Sequence, residues 1–430
     1  MRYRIVLAGL LLASLVTCDV AFAQNDSSLT LDEAIELAIG NDDWLVANEL
    51  DERAYLEQSI AAGQLPDPLI NIGMNNLPVD SFSFSQEPMT QFRIGVNQFF
   101  PRGDTLRILQ DISVLRSEVN PHLRDDREAA VTLEVSNLWL STYFAEQAIL
   151  LINNDRELFE QLVDITSARY TTAAGLARQQ DLVRAEVELV RLDDRLAMLR
   201  QQQDSNKQRL VEWLPYDSLS LPLDSVLPFL EVPNTELQSL AQASEFFLEH
   251  PIVRAHDKKI EIAQEQVELS RQAFKPSFSV GAGYGYRDDA QTGFNTERAD
   301  FLTLSLNFDL PLFTENRQKP RLRASQYRAS ATQTERILLI KDLFANYQQA
   351  LAQLDVLDER AAIFNDTLLG QLADLAEATL ASYTADEGDF EEVMRAYISE
   401  LNAKIELLQI DVERLKVISL INYLLSTSEL

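Results

Sequence analysis

Residues 276–287 read P-S-F-S-V-G-A-G-Y-G-Y-R and alternate without a break. Phe278, Val280, Ala282, Tyr284 and Tyr286 share one face, and Ser277, Ser279, Gly281, Gly283 and Gly285 share the other. A period of two is a strand with a different environment on each side. Residues 301–310, F-L-T-L-S-L-N-F-D-L, repeat the pattern, with Leu302, Leu304, Leu306 and Phe308 opposed to Thr303, Ser305, Asn307 and Asp309. In a soluble sheet the apolar face covers a core. In an outer-membrane barrel it meets lipid, and the polar face lines a wet lumen. The two strands alone leave both readings open.

The chain has 430 residues and a formal net charge of −30. That balance excludes nucleic acid as a partner and adhesion to anionic head groups. Only 13 glycines, among many Leu, Ala, Gln and Glu, point to long helices. Residues 1–23 read as a signal peptide: Arg2 and Arg4, an apolar stretch from Ile5 to Val16, then Ala21-Phe22-Ala23 before Gln24. The single cysteine, Cys18, lies in that leader, and lipidation there is the alternative to cleavage after Ala23. No later stretch holds the ~18 consecutive apolar residues of a spanning helix. Any crossing of a membrane must then be made by a closed barrel.

The remainder reads helix, strand, strand, helix, twice. Thr30 or Asp32 caps a first helix that Gly40 ends, and a second runs over about 43–62. Alternation predicts strands near 69–76 and 92–100. A long helix follows Gly103-Asp104, with a kink expected at Pro121. From His122 to Ala174 there is neither Gly nor Pro, enough for roughly 80 Å of helix. A turn at Gly175 leads back through Leu189, Leu192, Leu196 and Leu199, a heptad seam. Residues 215–234 hold Pro215, Pro222, Pro228 and Pro233 and read as a linker or strap. Helices are then expected over 235–248 and 252–273, the two opening strands, a helix over 317–382, a turn at Gly388 and a final helix.

The pattern repeats at a near-constant offset. Trp44 and Ile252, Pro68 and Pro276, and Gly73 and Gly281 lie 208 apart (252 minus 44). Pro101 and Pro311 lie 210 apart, and Tyr170 and Tyr383, like Gly175 and Gly388, lie 213 apart. An ordered series of matches at structural punctuation is a duplication. Repeat one covers 29–214, the linker 215–234 and repeat two 235–430. Two strands per half form only a marginal hairpin in water, and four strands close no barrel. Three copies would supply twelve strands and leave no edge. The fold class expected is mainly α with a small β part, trimerising into a β-barrel on a long α-helical barrel.

These features resemble the TolC-type outer-membrane efflux channels over essentially all of 29–430. The resemblance rests on the duplicated layout, the opening L-T-L-D-E-A-I-E-L-A, Pro66-Asp67-Pro68 and the two Tyr-x4-Gly turns. Residues 76–91, N-L-P-V-D-S-F-S-F-S-Q-E-P-M-T-Q, with F-F-P-R-G at 99–103, look most like the CzcC-like heavy-metal efflux branch. The family implies a homotrimer in the outer membrane, a tunnel crossing the periplasm, a periplasmic adaptor and an inner-membrane RND-type pump. It implies a passive exit duct for heavy-metal cations. Drug export, type I protein secretion and a non-channel periplasmic coiled-coil protein are the alternatives.

Catalytic chemistry is not expected. The only histidines are His122, His250 and His256, and there are no cysteine ligands beyond the leader. No nucleophile–base pair stands out, so neither an enzyme nor a cofactor is implied. The candidate functional residues are those of the two helical turns: Tyr170, Gly175 and Asp181 at the first, and Tyr383, Asp386, Glu387, Gly388 and Asp389 at the second. In the family such turns constrict the tunnel through acidic side chains. Asp181 stands six beyond Gly175 as there, but Met394 and Tyr397 occupy the matching places after Gly388. The acids crowd at 386–392 instead. They either cap the helix or form an acidic ring that draws cations.

Overall fold

The computed structural model describes residues 28–171, 179–233, 235, 237–289, 297–385 and 387–427. The leader, Cys18 included, lies outside them, as do Gly175 and Asp386. Helices α1 (Leu31–Gly40) and α2 (Asp43–Ala62) precede strands β1 (Leu69–Asn75) and β2 (Gln91–Phe100). Helix α3 (Thr105–Thr171) runs out and α4 (Gln179–Leu210) returns. The order then recurs: α5 (Leu240–Phe246), α6 (Pro251–Gln272), β3 (Ser277–Tyr286), β4 (Phe301–Asp309), α7 (Gln318–Ile363), α8 (Leu369–Thr384) and α9 (Phe390–Leu424).

Local chemistry fixes the element ends. Thr30 and Glu33 form a reciprocal capping box on α1. Asp42 caps α2, Asp389 caps α9, and Pro251 fills the first position of α6. Helix α3 is one element through Pro121. Pro121 leaves the Ser117 carbonyl without its helical N–H. The Asn120 amide reaches that carbonyl at 3.4 Å and the Arg116 carbonyl at 3.1 Å. Asn48 of α2 donates to Asn120 Oδ1 at 2.9 Å and holds it in place.

Two expectations change, and the linker-or-strap stretch takes the second form. The helix read over 235–248 shrinks to α5 and a short 3₁₀ turn at Phe247–Glu249. Ahead of α5, Gln348 donates to the Leu237 carbonyl at 2.8 Å and Tyr347 to that of Thr235. The helix read over 317–382 is divided by a π-helical segment at Phe364–Leu368. The proline-rich stretch is a strap on the helices. Leu29 bridges Leu223 in parallel, and Tyr143 and Trp139 donate to the carbonyls of Ser225 and Leu29, each at 3.1 Å.

Two large apolar cores result, besides a small cluster of Ala263, Val267 and Ala329. One, beside the strap, gathers Trp139, Phe247, Val253, Tyr347 and Ile418. The other lies along the outer helices, where Phe159 and Leu162 of α3 meet Leu192, Leu196 and Leu199 of α4 and Leu401 and Ile405 of α9. The three-and-four spacing of the leucines is what puts them on one buried stripe.

Candidate functional site

The four strands form one antiparallel sheet in the order β1-β2-β3-β4. Arg93 pairs with Gly73 on one side and Gly285 on the other, and Gly281 pairs with Asn97 and Ser305. The register puts every residue of the apolar face on one side. That side is bare: Ile72 is 66% exposed and Leu304 76%. Phe100 and Phe278 stack across β2 and β3 at 4.8 Å. The polar positions of β3, from Ser277 to Gly285, are all buried by their neighbours. The sheet therefore leaves open the apolar side that a water-soluble one would bury, and covers its polar side along β3.

The glycines of β3 produce this. A Cβ on Gly281 would sit 2.5 Å from Ser305 Oγ and 3.2 Å from Asn97 Oδ1. One on Gly283 would sit 3.0 Å from Arg93 Nε, and one on Gly285 would overlap Gln91 Oε1. The polar side chains of β2 and β4 lie flat across the gaps that the glycines leave.

The base of the sheet is tied to the helices by Arg102, which the sequence reading passes over. Arg102 pairs with Asp309 and donates to the carbonyls of Ala273 and Lys275, each at 3.0 Å. At the other end Arg287 donates to the Pro88 carbonyl at 3.0 Å, and Arg298 to the Ser85 carbonyl at 3.2 Å. These arginines join the two hairpins over separations of about two hundred residues, which periodicity does not reveal.

The helical turns lie at the far end of helices that span roughly 100 Å. Gly175 and Asp386 lie outside the described residues. Tyr170 ends α3 and Asp181 opens α4, with their side chains undescribed. The second turn is better defined. Tyr383 is buried against Phe390, ring centroids 5.6 Å apart. The Glu387 and Gly388 amides donate to the Ser382 carbonyl at 3.0 and 3.1 Å. A Cβ on Gly388 would lie 2.9 Å from the Tyr383 nitrogen, so the turn needs glycine. Asp389 accepts from the Glu391 amide as the cap of α9. Glu391 pairs with Arg184 and, at 2.6 Å, with Arg395. Met394 is buried. The Tyr397 hydroxyl is held above its usual pKa by burial, then by Glu400 and Glu377. Two of the clustered acids thus serve the helix start.

The histidines go to separate partners. His250 Nε2 meets the Tyr423 carbonyl at 3.2 Å, and His256 Nε2 the Thr332 carbonyl at 3.3 Å. Among the described residues no group of His, Cys, Asp or Glu is arranged to hold a metal ion, and no helix is long and apolar enough to cross a membrane.

A family model described as outer membrane efflux protein matches residues 243–416. The toluene efflux pump outer membrane protein TtgF of Pseudomonas putida is 24% identical over 322 residues, 73% of this chain. The chain spans 59% of the length of that relative. Among solved structures, CusC superposes with a TM-score of 0.74 at 16% identity, covering 92% of both chains. The Campylobacter jejuni CmeC outer membrane channel superposes at 0.76 with 12% identity, over 92% of this chain and 85% of its own. The protein thus has the fold of the solved outer-membrane channels, and its residues 243–416 match the outer membrane efflux protein model.

Proposed function

We propose that this chain is one protomer of a homotrimeric outer-membrane exit duct. The bare apolar face of the sheet carries that reading. An apolar face left exposed opposite a polar one matches lipid outside and water inside. The free edges at β1 and β4 are the other support, because three copies joined there close a barrel without edges. The long helices would then stand beneath the barrel as a tunnel through the periplasm. The two halves would be the duplicated units, released from a leader cut after Ala23. Solutes would arrive from an inner-membrane pump of the RND type through a periplasmic adaptor. The protein would move nothing itself and catalyse nothing.

In this reading the turns at Gly175 and Gly388 form the inner mouth, with Tyr170, Asp181, Tyr383, Asp386, Glu387 and Asp389 around it. The resemblance of 76–91 to the CzcC-like branch supports heavy-metal cations as cargo. TtgF, named for toluene efflux, supports organic solutes. A deletion strain grown against divalent metals, dyes and solvents separates the two.

The assembly is tested by fractionating cells and measuring the mass of the extracted protein. A trimer in the outer-membrane fraction is expected. A monomer or dimer in the periplasmic fraction would replace the duct with a soluble coiled-coil protein.

A further inference from the structure

The four strands contain only two charged residues, Arg93 and Asp309. Asp309, at the base of the sheet, is paired with Arg102. Arg93 lies in the upper half of the polar face, half-buried, and among the described residues it makes no ion pair. In a chain with a net charge of −30, no acid among the described residues pairs with this arginine.

The surroundings of Arg93 are shaped around it. On the β3 side its guanidinium lies over Gly283, with Nε and Nη2 at 3.0 and 3.1 Å from where a Cβ would be. On the β1 side its direct partner is Gly73, and a Cβ there would meet nothing within 4 Å. One glycine makes the bed and the other leaves the approach clear. The result is a recess of about 360 Å³ lined by Asn71, Asn75, Arg93, Asn97, Ser305 and Asn307. Its polar lining is one cation, neutral amides and a hydroxyl. Asn97 Oδ1 is buried there without a donor, and an amide can turn its NH₂ outward when an acceptor enters.

We infer that this recess is an anion-binding subsite centred on Arg93, with inorganic oxyanions and carboxylate-bearing solutes as its ligand class. A guanidinium offers such groups a planar, two-pronged set of donors. The subsite deepens the duct reading and rests on it in one respect: three copies would set three such subsites around one lumen. The outer part of the path would then favour anions and oppose divalent cations entering from outside. A metal cargo would pass this level most readily as an anionic complex.

The test uses the purified full-length trimer in planar bilayers at about 0.1 M KCl, where charges act over roughly 10 Å. Arg93→Gln should lower the chloride-to-potassium permeability ratio roughly threefold, and Arg93→Lys should keep it. Sulfate added from the outer side should reduce wild-type conductance and leave Arg93→Gln unaffected. Gly73→Asp sets a carboxylate opposite Arg93 in open space, and should abolish the sulfate effect even if Arg93→Gln fails to assemble. The differences should fade near 1 M salt, where screening is complete within about 3 Å. Conducting wild-type pores whose selectivity and sulfate response match those of the variants would overturn the subsite alone. Wild-type protein that forms no pores would overturn the duct, and the subsite with it.

Discussion

Asp42 and His250 hold the same place in the two halves of the chain: each caps the helix that leads into a hairpin. Asp42 accepts from the Trp44 amide at 3.0 Å, and His250 Nδ1 from the Ile252 amide at 3.3 Å. Their outer contacts differ in kind. Asp42 is a buried carboxylate met by Arg127 at 2.7 Å. His250 is fully buried, between Phe247 and Tyr423, and donates through Nε2 to the Tyr423 carbonyl. One half anchors its helix with a charge pair and the other with a neutral ring in a single tautomer.

That tautomer makes the second anchor sensitive to acid. Burial pushes the His250 pKa from 6.5 down to about 4, against a smaller opposing effect of the Tyr423 carbonyl. The unfolded chain therefore binds a proton more readily than the folded one between those two values. Stability from this site is complete above about pH 6.5 and falls as pH drops towards 4, by ~3 kcal/mol in all. Thermal unfolding in detergent across that range should show the decline, and His250→Asn, which keeps a cap, should flatten it. Identical pH profiles would remove His250 as the cause.

The Asp42 anchor should respond instead to mutation of its partner. The Arg127 guanidinium also lies 5.5 Å from the Trp44 ring centre and 5.0 Å from that of Trp213. Arg127→Met leaves the Asp42 carboxylate buried with only its helix-cap bond. Arg127 is 31% exposed, so the cost is expected at about 2 kcal/mol, below that of a fully buried pair. Arg127→Lys should recover only part of it, because a lysine cannot lie flat between two indoles. Urea unfolding of the extracted protein measures both.

Asn120 and Pro121 should show strong coupling. Asn120→Ala removes the amide that serves the Ser117 carbonyl and takes the acceptor from the Asn48 NH₂, at an expected cost of about 2 kcal/mol. In a Pro121→Ala background the helical N–H returns and the cost should fall by about half. Additive losses in the double mutant would mean that Asn120 acts through Asn48 alone.

The two faces of the sheet predict opposite tolerance. Leu304→Arg should cost ~2–4 kcal/mol in a membrane and reduce assembled protein. Ser305→Arg, its neighbour on the polar side, should assemble at near wild-type yield. Semi-native gels of outer-membrane extracts read the outcome, and equal losses on both faces would contradict a lipid-facing sheet.

At the turns, neutralising Asp181, or Glu387 and Asp389 together, should lower cation preference and relieve block by divalent ions added from the inner side. Since Asp389 also caps α9, its variant should lose about 1 kcal/mol of stability as well. A loss of stability with unmoved selectivity in bilayers would make these acids caps only.

Much of this architecture is legible in the sequence because Gly and Pro mark its joints. The expected helix over 43–62 is α2 residue for residue, and both pairs of strands fall where alternation puts them. Legibility fails where distant partners decide. The sequence predicts helix from 235 onward, yet Tyr347 and Gln348 engage the carbonyls of Thr235 and Leu237 before the helix starts. Around Pro121 the carbonyl left without its N–H is served by Asn120, which Asn48 holds, a partnership that local sequence does not show. The π segment at Phe364–Leu368 carries no local mark. The candidate turns follow from position along the helices, whereas Arg93 needs the register: only pairing with Gly73 and Gly285 sets it apart from other surface arginines.

The bare side of the sheet also sets a clock on the life of a newly made chain. Until copies join, β1 and β4 offer unpaired backbone and the leucines of β4 offer a sticky surface, so any other chain in reach is a rival mate. Slow delivery to the bilayer would therefore cost yield steeply, since wrongful pairing grows with concentration. Under the duct reading, escort by holding factors between export and insertion is what such a surface demands of the cell.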